Sequence, residues 1–174
     1  MHFEHDQEAI FDELQNQLHK VNEHLTFEIS TIKNGKREFI ISADGIREAF
    51  SPVIALFDSS PKFNEWTIIA FRPPIGVGFS ITIADYSLGP EDIWFLHEAD
   101  GDLIGLVLYI RDLNEENEEL AAQASYILLD TALGEFVVET KVSFIEREPL
   151  PSDPGAIGLL PFTSIVDVFD EVSQ

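Results

Sequence analysis

Five histidines, 32 acidic residues and no cysteine define the side-chain chemistry of this chain. Without a thiol there is no thiolate nucleophile, no disulfide and no cysteine metal site. His2 and His5 stand three residues apart, which would put both rings on one face of a helix and could hold a divalent metal, although no third ligand is evident beside them. His19 and His24 flank the end of an amphipathic helix, where a cation suits the macrodipole. His97 is the histidine inside a strand pattern, next to Trp94 and Glu98, and is the candidate general base. No G-x-S-x-G accompanies it, so the nucleophile of a serine hydrolase is missing.

The carboxylates offer more. Asp130 falls in the apolar half of a helix pattern with Tyr126 one turn before it, and Glu135 and Glu139 follow. A carboxylate in such a setting must reach solvent or be paired, because an isolated buried charge is far too costly. Asp130 and Glu139 are the pair from which acid–base catalysis could be built, with Arg37, Arg72, Arg111 and Arg147 as the expected ion-pair partners for such acids. Glu98, Asp100 and Asp102 lack the spacing and the closing Glu of a calcium loop and read as a solvated turn. Gly76-x-Gly78 has no third glycine and no helix after it, so it does not make a phosphate cradle. No cofactor and no metal is implied. The acidic face singled out for binding is Asp112 with Glu115, Glu116, Glu118 and Glu119.

The balance of 10 Lys plus Arg against 32 Asp plus Glu, a net charge of −22, argues against nucleic-acid phosphates and anionic membranes as partners. It is compatible with a solvated surface that keeps the chain soluble, with a salt-adapted source, or with a face that steers a basic protein. No apolar run approaches the ~18 residues that span a bilayer. The first residues are acidic and amphipathic, unlike a signal peptide, so a cytoplasmic location is the simplest expectation.

The element that must position most of these acids runs from Asp112 to Glu146. Asp112 or Asn114 is placed to cap a helix whose first turn is crowded with glutamates. Leu120, Ala124, Ile127, Leu128 and Thr131 then form one helix face. Gly134 stands where a left-handed residue ends a helix, and the alternation from Phe136 through Phe144 predicts a strand. Elsewhere, residues 6–24 predict a first helix, and 25–30 and 38–42 predict strands joined through Asn34-Gly35, a hairpin dipeptide. A turn at 44–50 leads into a helix of about two turns that begins near Pro52, and 65–71 is a third strand. Residues 75–84 alternate strictly between large apolar and small residues and read as a strand, while 93–99 and 103–110 pair around Asp100-Gly101. A Pro/Gly-rich connector over 146–162 precedes a short helix at 163–172.

A length of 174 residues suits one domain, 1–174. Residues 25–71 and 93–146 both run strand, strand, helix, strand, so the chain echoes itself. The class that follows is α+β: one mixed, mainly antiparallel sheet of six or seven strands with helices packed on one face. Strict βαβα alternation is missing, which argues against a Rossmann-like sheet.

The phrases KREFIISADGI (36–46), WTIIAFRP (66–73) and LLDTALGEFVVET (128–140) resemble those of an uncharacterised bacterial family of acidic α+β domains. The resemblance covers most of 10–160 and implies the α+β class without implying any chemistry. The expected function is therefore a soluble acidic binding domain, of the inhibitor or immunity type, steered to a basic partner protein. The alternative is a small cysteine-free enzyme that uses carboxylates and His97.

Overall fold

The computed structural model describes residues 7–172, apart from the side chain of Val172, so the His2 and His5 pair lies outside the described residues. The chain divides into two compact units, Met1–Arg72 and Pro73–Gln174.

In the first unit, α1 (Gln7–His19) is followed by the hairpin of β1 (Thr26–Ile29) and β2 (Arg37–Ser42), then α2 (Phe50–Ser59) and β3 (Trp66–Ala70). The hairpin turns where Asn-Gly predicts: Asn34 and Gly35 have φ of 52° and 77°, and Lys33 and Lys36 exchange backbone hydrogen bonds of 2.8 and 3.0 Å. β1 and β2 are antiparallel, and the chain then crosses over through α2 to lay β3 parallel to β2, giving the order β1-β2-β3. α1 ends five residues before the predicted boundary at 24, because Val21, Asn22 and Leu25 already hydrogen bond in turns. α2 begins at Phe50 and holds Pro52 within its first turn, where the missing N–H has no intrahelical partner to lose. The apolar residues of the helices and of alternate strand positions meet in a core that includes Leu18, Leu25, Ile41, Phe50, Val53 and Phe71.

The second unit begins with the small hairpin of β4 (Ile81–Ile83) and β5 (Tyr86–Leu88). β6 (Ile93–Asp100) and β7 (Leu103–Ile110) follow, then α3 (Glu118–Leu133), α4 (Glu135–Lys141), β8 (Val142–Pro149), β9 (Leu160–Pro161) and α5 (Ile165–Val172). Its larger sheet has the order β8-β7-β6-β9. The pairing repeats that of the first unit: an antiparallel hairpin, a helical crossover, then a strand parallel to the second strand of the hairpin. The strand-strand-helix-strand echo is thus a topological one, with β2 matching β7 and β3 matching β8. The core gathers Phe95, Leu106 and Leu108 from the sheet, Leu128, Leu129 and Ala124 from α3, and Phe162, Ile165 and Phe169 from the C-terminal segment.

The α+β class and its mainly antiparallel pairing are as expected, with three corrections. The strands among the described residues form three sheets rather than one. Residues 75–80 are not part of a strand: Gly76 has a φ of 119°, and the N–H groups of Ile75 and Gly76 both donate to the Thr131 carbonyl, at 2.8 and 3.1 Å, instead of to a neighbouring strand. Only Ile81–Ile83 of the alternating run enters a ladder. Finally, 135–141 is helical. Gly134 has the expected positive φ, 85°, but its ψ of 146° is a glycine conformation that breaks the helix and lets a new one start at once. α4 buries Glu135 and Val138, one turn apart, and leaves Phe136 exposed. Tertiary packing of that turn overrides the strand preference of the Phe-Val-Val sequence.

Candidate functional site

The loop from β7 to α3 carries the predicted acidic face. Asp112 has a φ of 57°, and its carbonyl accepts hydrogen bonds from the side-chain amides of Asn114 and Asn117, each at 2.9 Å. The Asn114 and Asn117 side chains in turn accept from the backbone N–H groups of Glu116 and Asn114. This network shapes the turn, and α3 starts after it with Asn117 in the cap position and no side-chain cap bond. The predicted cap at Asp112 or Asn114 is corrected accordingly: those residues are occupied in the turn. Asp112, Glu115 and Glu116 lie in the loop and Glu118 and Glu119 in the first helical turn, and all are solvent-exposed. Anions at that end of a helix are favoured by its dipole. These acids are thus exposed along one turn and the helix start that follows it.

The carboxylates farther along α3 are assembled differently. Asp130 is nearly buried and Glu135 fully so. The Tyr126 hydroxyl donates to Glu139 Oε1 across the α3–α4 junction. Burial, that hydrogen bond and the charges of Glu139, Asp130 and Glu135 push the Tyr126 phenol well above its ordinary range. Of the proposed pair, Glu139 accepts the hydrogen bond from Tyr126, while Asp130 acts on the phenol through its charge. The arrangement joins two helices across Gly134. The sequence shows Tyr126 and Asp130 one turn apart, but the helical form of 135–141, which swings Glu139 back to Tyr126, was not legible.

His97 lies half-buried in β6 with its ring 6.2 Å from that of Phe95. Among the described residues it has no hydrogen-bond or ion-pair partner, so no orienting carboxylate completes a catalytic base. Glu98, Asp100 and Asp102 surround the exposed β6–β7 turn at Gly101, φ 64°. Among the described residues no group of three or more His, Asp and Glu side chains is arranged to hold a metal ion.

Arg72 and Arg111 are among the arginines that pair with acids as expected. Arg72 bridges Glu28 and Asp44 at 2.6 and 2.7 Å, and Arg111 bonds Asp92 at 2.9 Å. Burial by itself would lower the basicity of Arg72, and the hydrogen bonds to Asp44 and Glu28 more than reverse that. Arg147 is used otherwise. Its Nε donates to Ser125 Oγ at 2.9 Å and its Nη2 to the Ala122 carbonyl at 3.2 Å, which ties β8 to the middle of α3. Among the described residues no helix is long and apolar enough to cross a membrane.

Compared with models of known protein families and with curated proteins, the chain matches none.

Proposed function

We propose that the protein is an acidic binding domain that engages a basic protein in the cytoplasm, in the manner of an inhibitor or immunity protein, and that nucleic acid is not its ligand. The observation that carries this reading is the corner at the start of α3, where Asp112, Glu115, Glu116, Glu118 and Glu119 are all exposed on a turn held in shape by Asn114 and Asn117. A preformed cluster of like charge raises the encounter rate with an oppositely charged surface. The net charge of −22 adds to the same field.

The test is capture from lysate at low and at moderate salt, with mass spectrometry of what is retained. A basic protein held at low salt should be released as the Debye length falls below about 10 Å. Replacement of these acids by lysine should remove the retention. Equal retention by the parent and the charge-reversed variant would overturn the proposal.

A further inference from the structure

Among the described residues β1 is an edge strand, and a groove lies beside it. Ser30 donates its N–H to the Glu38 carbonyl at 3.0 Å, which makes Ser30, Glu28 and Thr26 the residues that bond to β2. Alternation in an antiparallel ladder then turns the N–H and C=O groups of Phe27 and Ile29 outward. Beside this edge lies a groove of about 590 Å³ lined by Phe11, Asp12 and Gln15 of α1 and by Phe27, Glu28 and Ile29 of β1. Phe11 packs edge-on against Phe27 with centroids 5.4 Å apart and is still 41% exposed. Glu28 projects from the opposite face of the strand. Asp12 is exposed on the helix and, among the described residues, has no hydrogen-bond or ion-pair partner.

We propose that this edge takes up an extended basic peptide segment as an added strand. The proposal rests on the reading of the chain as a binder of basic proteins, and it adds where the segment sits and in what conformation. Unpaired backbone groups at a sheet edge supply the main-chain recognition. Charge selects the occupant. A second copy of this chain would bring another −22 and its own acids to the rim, whereas a segment rich in Lys or Arg meets Asp12 and Glu28. Arg72 remains anchored by Asp44 when Glu28 turns to a ligand cation. Because side chains alternate across a strand, the segment should place apolar residues toward Phe27 and Ile29 and basic residues toward Glu28, with a further basic residue at the rim meeting Asp12.

The experiment is fluorescence anisotropy of the full chain with a labelled Lys-Val-Lys-Val-Lys-Val-Lys peptide, repeated with the peptide N-methylated on its Lys amides or on its Val amides. An added strand turns the N–H groups of one set toward β1 and those of the other toward solvent. One methylated peptide should lose affinity by at least about tenfold and the other should keep it. Asp12→Lys, an exposed helix change that leaves the fold intact, should also weaken binding about tenfold. In NMR the amides of Phe27 and Ile29 should gain exchange protection on binding. Absence of binding overturns the proposal, as does binding indifferent to both methylations and to Asp12→Lys. Loss on reversal of the α3 corner, with no effect of Asp12→Lys, overturns the groove and leaves the broader binder reading standing. Groove-dependent peptide binding without capture of any basic protein does the reverse.

Discussion

The ring of Phe144 on β8 lies over the bare Cα of Gly105 on β7: a Cβ at Gly105 would stand 2.3 Å from both Cε1 and Cζ of that ring. The register between the strands slips at Ile104/Gly105, so the irregularity and the glycine occur together. Gly105→Ala must push a half-buried ring out of place. We expect a loss of about 1–2 kcal/mol in urea unfolding. In a Phe144→Ala background the same substitution should be close to neutral, which a double-mutant cycle would show.

Arg72 ties the edge strand β1 to the turn after β2 through two different nitrogens, Nε to Glu28 and Nη2 to Asp44. Glu28 and Asp44 are more than half exposed, so the pairs are screened by solvent and Arg72→Ala should destabilise by no more than about 1 kcal/mol. The loss should shrink as salt is raised. Arg72→Lys should not restore it, because an ammonium lacks the planar fork that reaches both acids. Denaturant midpoints at two salt concentrations test this.

Arg147 is held by uncharged acceptors, and burial lowers its basicity, with the charge of Glu118 opposing that effect. Ser125 is fully buried. Ser125→Ala removes the acceptor of Nε and leaves a half-buried guanidinium N–H unsatisfied, so we expect a loss of about 1–2 kcal/mol. Thermal unfolding of Ser125→Ala beside that of Ser125→Thr, which keeps the hydroxyl, separates the hydrogen bond from packing.

Tyr126 gives the protein an alkaline dependence. Burial comes first among the causes that raise its phenol, and the bond to Glu139 second. The folded chain therefore keeps a proton that the unfolded chain releases near pH 10, and the linked stability is present below that pH and lost as pH rises through the folded value. Phenolate absorbance checks the sign. Near pH ~11, Tyr126→Phe should leave the native signal unchanged and lower that of the urea-unfolded chain by one of its three tyrosines. It should also flatten the decline of stability with alkaline pH.

How much of this was legible in the chain follows from the range of the forces involved. The Asn34-Gly35 and Asp100-Gly101 hairpins, the apolar face of α3 and the glycine break at 134 are set by backbone sterics and by short-range periodicity, which any window of the sequence displays. The same holds for the acidic corner, whose members are neighbours along the chain. Residues 75–80 and 135–141 misled because their alternation is real while the contacts that decide their conformation are distant, a hydrogen-bond acceptor in the first case and burial in the second. The Thr131 carbonyl claims Ile75 and Gly76, and the burial of Val138 and Glu135 winds the strand-like segment into α4.

The sequence by itself determined the α+β class, the repeated strand-strand-helix-strand order and the excess of negative charge, since these depend on composition and local pattern. Only the tertiary structure decided that, among the described residues, the strands form three sheets and β1 lies at an edge beside Phe11 and Asp12, that Tyr126 meets Glu139, and that Arg147 binds Ser125. Each of these is a pairing between residues distant in sequence. Such pairings are selected by the packing of the core as a whole, and no local preference encodes them.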